Sequence, residues 1–229
     1  MLRCTDLNTW YGPAHVLFDV NVEVAEGRVL SILGRNGVGK STLLKSIIGI
    51  TPPGSGEIVF RGQNLCGMPT HKIAQSGIGY VPEERRVFAD LTVEENLEIA
   101  ELRVGAWSRR EAFRAFPALE EFRTRRAGLL SGGQQQMLTI ARSLMGNPRL
   151  LLVDEPTEGL SPIMVKTLAG TMHDLKTAGQ TMVVAAQDVR FALSIADDLV
   201  VFDRGRVVYR ADAAQARADV EQIRSLLAL

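Results

Sequence analysis

"LGRNGVGKST", residues 33–42, decides how the rest of this chain is read. Glycines stand at 34, 37 and 39, and Lys40, Ser41 and Thr42 close the run. Ahead lies "GRVLSIL" (27–33), a β-branched and leucine run suited to a buried strand, and behind it "LLKSIIGI" (43–50) repeats apolar residues at helical spacing. The stretch therefore joins a strand to a helix. Gly34, then four residues, then Gly39-Lys40-Ser41 is the pattern of a phosphate-binding loop. Its glycines let successive backbone N–H groups converge on an anion at the positive end of the helix. The reading predicts Arg35, Asn36, Gly37, Val38, Gly39 and Thr42 around a phosphate tail, Lys40 on its β- and γ-phosphates, and the Ser41 hydroxyl on Mg²⁺.

At 229 residues the chain is long enough for one α/β domain with a core that needs no staples, so a single domain over 1–229 is expected. Lys and Arg (26) balance Asp and Glu (26), which removes any global electrostatic pull toward nucleic acid. Cys4 and Cys66 match no metal-ligand spacing and read as small apolar residues in a reducing compartment. His15, His71 and His173 form no pair at ligand spacing and are expected at the surface. No apolar run approaches the roughly 20 residues a bilayer span needs, and "MLRCTDLNTWYG" lacks a signal-peptide core, so a cytoplasmic location is expected.

"FDVNVEV" and "GEIVF" alternate and predict antiparallel strands in the N-terminal part, whereas "GIGYV", "RLLLVD" and "TMVVAA" are short apolar runs of a buried parallel sheet. From about 84 to 130 the texture changes to a helical insertion, with arginines at 109, 110, 114, 123, 125 and 126 interleaved with glutamates. That interleaving predicts salt-bridged, solvated helix faces rather than a nucleic-acid patch. "ADAAQARADVEQIRSLLAL" predicts one or two surface helices at the C-terminus.

"RLLLVDEPTEGL" (149–160) puts Asp154 and Glu155 at the exit of a buried strand, where a parallel α/β sheet presents its ligand site. Asp154 is expected to hold Mg²⁺ through water and Glu155 to act as general base on the attacking water. "LLSGGQQQMLTIARSLM" (129–145) carries a second anion site: Ser131 caps a helix, and Gly132 and Gly133 expose N–H groups at its positive end. One nucleotide needs only one such helix terminus.

"LSGGQ", after "GRNGVGKS" and just before "LLLVDEP", resembles the signature of the ABC ATPase family, and the resemblance covers nearly the whole chain. It implies a P-loop NTPase with a mixed sheet core, an N-terminal antiparallel β part and an inserted helical subdomain. It also implies that two subunits face head to tail, each ATP lying between the phosphate loop of one and the loop Ser131, Gly132, Gly133 and Gln134 of the other. Tyr11 in "TWYGPAHVLFDV" resembles the aromatic residue that stacks on adenine. Glu83 stands where the family usually has the glutamine that meets nucleotide and metal, giving Ser41, Asp154 and Glu83 as the implied Mg²⁺ set. Ser161 replaces a common aspartate in "EGLSP", and Gln187 replaces the switch histidine. A glutamine amide donates a hydrogen bond but exchanges no proton near neutral pH, so Gln187 is expected to position while Glu155 does the proton transfer.

The phrasing of these motifs is similar to the second ATP-binding subunit of bacterial branched-chain amino acid importers, with urea and short-chain amide importers close in wording. The resemblance implies a second ATP-binding subunit, hetero- or homodimeric, and two integral membrane permeases whose short helices dock near Glu83 to Leu97, with Val87, Phe88 and Leu91 as apolar contacts. A periplasmic or extracellular solute-binding protein would be an indirect partner. The chain would work at the cytoplasmic face of the inner membrane. A soluble, non-transport ABC ATPase acting on nucleic acid or ribosomes is the less favoured alternative, since this chain has one compact, neutral cassette.

Overall fold

Runs of four or more consecutive apolar residues, such as "LLLV" and "MVVAA", can bury both faces only inside a parallel sheet covered by helices, and the computed structural model of this protein, which describes residues 1–102 and 105–228, places them there. In chain order the first half runs β1 (Leu2–Tyr11), β2 (Ala14–Val24), β3 (Val29–Leu33), α1 (Lys40–Ile47), β4 (Ser55–Phe60), β5 (Gln63–Asn64), α2 (Thr70–Gln75) and β6 (Ile78–Val81). Next come α3 (Val93–Glu98), α4 (Arg109–Ala115), α5 (Pro117–Glu120) and α6 (Gly132–Met145). The chain then continues through β7 (Leu150–Asp154), α7 (Pro162–Thr177), β8 (Thr181–Ala186), α8 (Val189–Ile195), β9 (Asp198–Asp203), β10 (Arg206–Asp212), α9 (Ala213–Ala218) and α10 (Val220–Ala228).

The central sheet has the order β10-β9-β3-β8-β7-β6, parallel except for β10, and a second, antiparallel sheet has the order β2-β1-β4-β5. The alternating residues Leu2, Cys4, Val20, Val22 and Val24 are buried between the two sheets together with Leu43, Leu44 and Ile47 of α1. The opposite face of the central sheet is covered by α6, α7 and α8 through Ile140, Leu144, Leu168, Met172 and Ile195. Cys4 is buried and Cys66 half-buried, both as free thiols.

Apart from residues 103 and 104, which lie outside the described residues, the segment 84–130 is built of short helices and loops. Thr92 starts α3 with a reciprocal cap to Glu95, and Ser108 caps α4 through the Glu111 amide. Arg109 pairs with Glu101 at 2.9 Å, and Arg123 pairs with Glu94, whose carboxyl its guanidinium holds below the usual range. His15 departs from the surface position expected of it. The β1–β2 register sets it opposite Trp10, the two rings stack with centroids 4.1 Å apart, and its Nε2 lies 3.0 Å from Asn8 Oδ1.

The register also fixes where the site forms. Leu33 pairs with Ala186, Asp154 with Ala185, and Val81 with Val153. Gly34, Glu155, Gln187 and the loop carrying Glu83 therefore leave the sheet side by side at its carboxyl edge.

Candidate nucleotide site

The glycines of the opening loop are required by geometry. Gly37 and Gly39 have φ of 80° and 110°, a region costly for any residue with a Cβ, and a Cβ on Gly34 would lie 2.7 Å from Val38 Cγ2 and 2.8 Å from the Phe202 carbonyl oxygen. The loop turns back onto the start of α1, and Lys40, only 4% exposed, is its centre. Its Nζ donates to Gly34 O at 2.8 Å and Arg35 O at 2.9 Å, and forms an ion pair with Glu155 Oε1 at 2.8 Å. Ser41 Oγ donates to Asp154 Oδ1 at 2.8 Å, and the Tyr80 hydroxyl donates to Asp154 Oδ2 at 3.1 Å.

Asn36, Gly37, Gly39, Lys40, Ser41, Thr42, Glu83 and Glu155 line a cavity of about 280 Å³. A larger hollow of about 1070 Å³, lined by residues of both charges including Arg3, Glu23, Arg28 and Asp198, contains none of the predicted site residues. The smaller one gathers the phosphate-loop residues together with Glu83 and Glu155.

Burial is the largest influence on both strand-end carboxyls and raises each above its ordinary value. Ser41 and Tyr80 oppose it at Asp154, and Lys40 opposes it at Glu155. Glu83 is also raised, by burial first and then by Glu158, Asp154 and Glu155. Glu155 has a φ of +43°, a strained conformation for a residue with a side chain, held by its N–H donating to Ala185 O at 3.0 Å.

This donor set fits ATP with Mg²⁺. The loop offers converging N–H groups and a buried ammonium for phosphates, while Ser41, Asp154 and Glu83 offer the hard oxygens that Mg²⁺ prefers. Among the described residues no group of three or more His, Cys, Asp or Glu side chains is disposed to hold a metal unaided.

The remaining predicted residues are distributed around this centre. Val38 packs against the inter-sheet core, its carbonyl accepting from Gly205 N at 2.9 Å. Gln187 follows β8 directly, half-buried, and Asp188 caps α8 through the Phe191 amide at 2.7 Å. Tyr11 sits exposed at the β1–β2 turn, its hydroxyl accepting from Thr51 Oγ1 at 3.3 Å. Trp10 beside it is half-buried, stacked on His15 with Gly54 against its ring.

Ser131 caps α6 in a reciprocal pair with Gln134, Oγ accepting from Gln134 N at 3.3 Å and Gln134 Oε1 accepting from Ser131 N at 2.8 Å. Neither these two residues nor Gly132 and Gly133 line the Lys40 cavity. Within one chain the two helix starts serve different spaces. Both glycines lie under close neighbours: a Cβ on Gly132 would meet Arg85 Nη1 at 2.5 Å, and one on Gly133 would meet Met164 Cε at 2.6 Å.

Sequence reasoning misses Tyr80 and Arg85. Tyr80 reads only as part of a strand, and Arg85, at φ +46°, donates from Nη2 to the Glu158 carbonyl while lying against Gly132. Nothing local in either stretch signals these long-range partners.

The family described as ABC transporter matches residues 17–158. The high-affinity branched-chain amino acid transport ATP-binding protein BraG of Pseudomonas aeruginosa is 40% identical over 216 residues, 91% of this chain and 91% of its own. The probable branched-chain amino acid transport ATP-binding protein LivF of Archaeoglobus fulgidus is 39% identical over 221 residues, 93% of this chain and 92% of its own. A solved dimeric ATP-binding cassette in a post-hydrolysis state, bound to ADP and Pi, superposes with a TM-score of 0.82 at 26% identity, over 93% of this chain and 99% of that one. By its motifs, by its fold and by these relatives, the chain belongs to the ABC transporter family, and it is an ATP-binding, ATP-hydrolysing cassette.

Proposed function

We propose that this ATPase powers import of branched-chain amino acids through a pair of membrane permeases. The observation that carries the reading is the 40% identity with BraG along 91% of the chain. Among the described residues no helix is long and apolar enough to cross a membrane, which fits a peripheral subunit working against permeases at the cytoplasmic face. The helical segment 84–130 would be the subdomain that meets them. Of the apolar contacts expected there, Phe88 is the exposed one, with Arg142 over its ring at 4.7 Å; Val87 and Leu91 are half-buried.

In this reading each ATP binds the phosphate loop of one cassette and the Ser131–Gln134 loop of a second, and Tyr11 stacks on the adenine. Phosphate oxygens take over Lys40, which releases Glu155 from its ion pair. Glu155 then accepts a proton from the attacking water, and the burial that raises its carboxyl makes it a stronger base. Ser41, Asp154 and Glu83 would hold Mg²⁺, which supplies charge neutralisation at the phosphates. Gln187 donates to the γ-phosphate and moves no proton. Replacing it by alanine should lower the turnover number about ten-fold, while Gln187→His should leave it the same or raise it. Steady-state kinetics on the purified chain decide this, and a loss in Gln187→Ala as large as in Glu155→Gln would reject the division of roles.

The cargo is tested by uptake of labelled leucine and labelled urea in cells carrying either the native chain or the Glu155→Gln form. Loss of leucine uptake alone supports the proposal. Loss of urea uptake alone moves the assignment to a urea importer, and no loss of either overturns the branched-chain amino acid assignment.

A further inference from the structure

Asp154 is 1% exposed, and a carboxylate at that depth keeps its charge only if donors replace water. Its two donors grip opposite oxygens, Ser41 Oγ on Oδ1 at 2.8 Å and the Tyr80 hydroxyl on Oδ2 at 3.1 Å. One bond would leave the carboxylate free to turn about its last torsion; two hold its plane. The Tyr80 donor comes from a neighbouring strand, since Tyr80 on β6 registers opposite Leu152 on β7, two residues before Asp154. Three residues beyond Tyr80 the same chain reaches Glu83, on the lining of the nucleotide cavity.

We propose that Tyr80 is a positioning residue for the metal: its hydroxyl turns Asp154 so that Oδ1 faces Ser41, and it ties that carboxylate to the strand end from which the Glu83 loop departs. The inference rests on the reading of Ser41 and Asp154 as Mg²⁺ residues. Movement of the Glu83 loop, transmitted through β6, would then alter how well Asp154 is presented. Without the hydroxyl, Oδ2 is a buried acceptor with one donor fewer, and the carboxylate is free to rotate, which weakens its grip on a cation.

The test is a Mg²⁺ titration of binding of a fluorescent ATP analogue, made on Glu155→Gln protein so that turnover does not intervene, with and without Tyr80→Phe. The phenylalanine keeps the ring in place and removes only the donor. The Mg²⁺ concentration giving half the effect should rise about ten-fold, while analogue binding in EDTA stays unchanged. A purely structural role would lower the melting temperature and leave the metal midpoint where it was, which overturns the proposal. The same pair compared on an Asp154→Asn background closes the cycle: the Tyr80→Phe shift should vanish there, and an equal shift in both backgrounds overturns the proposal. If Mg²⁺ has no effect on analogue binding even with Tyr80 intact, the metal reading falls first, and this inference with it.

Discussion

A chain carrying Glu155→Gln is expected to bind ATP about as well as the native protein and to hydrolyse it at least about a thousand-fold more slowly. The amide keeps the size and polarity of the side chain at a strained, nearly buried position, so the cavity around Lys40 is preserved. What it removes is the ability to accept a proton from water. In the nucleotide-free chain the same substitution removes a buried carboxylate but also takes the counter-ion from buried Lys40, which keeps Gly34 O and Arg35 O, so two opposing effects act on the melting temperature and their balance changes with pH. The sign follows from the direction of the shift. The folded carboxyl sits above its ordinary 4.5, so the group favours the fold fully below that value and the contribution is lost as pH rises through the folded pKa. The amide of the Glu155→Gln chain, which does not titrate, would escape that loss, and the melting temperature of the variant relative to the native chain should rise between pH 5 and pH 8. Native turnover in the variant would sink the assignment of the base; a gap independent of pH would sink the electrostatic account.

Lys40→Ala is expected to do damage of two kinds, separable by a second substitution. ATP affinity should fall by at least about a hundred-fold, since in the proposed reading Lys40 is the side chain that meets the β- and γ-phosphates. The empty chain should also lose about 3 kcal/mol, because Glu155 is left as a buried charge without its counter-ion, beside Asp154. Adding Glu155→Gln should recover most of that stability and none of the binding. Urea unfolding and nucleotide titration on the three variants check both halves. A double variant no more stable than Lys40→Ala would show that the Lys40–Glu155 pair contributes nothing to the ligand-free fold.

Much of this site was legible because its demands are local. A loop that must present N–H groups to an anion needs left-handed backbone at Gly37 and Gly39, so it announces itself by glycine spacing within a few residues. A strand buried on both faces needs an unbroken apolar run, so "LLLV" marks β7 and puts Asp154 and Glu155 at its end. Ser131 caps α6 as its short-range spacing predicts, and the return bond, Ser131 N donating to Gln134 Oε1, is added by the structure.

Other contacts left no mark in the order of residues. Tyr80 and Asp154 are 74 positions apart and Ser41 and Asp154 are 113 apart; they meet because β6, β7 and the phosphate loop converge at one edge of the sheet. His15 reads as a surface histidine until the hairpin register places it on Trp10. The central strands, the phosphate loop and the acidic strand end follow from residue order because each rests on conformational preferences of neighbouring residues, and the family follows from the resemblance of the motifs they carry. Which carboxylate Lys40 neutralises, what turns Asp154 and what lies over Gly132 are settled only in the assembled fold, since strand order and register bring together side chains that the chain keeps far apart.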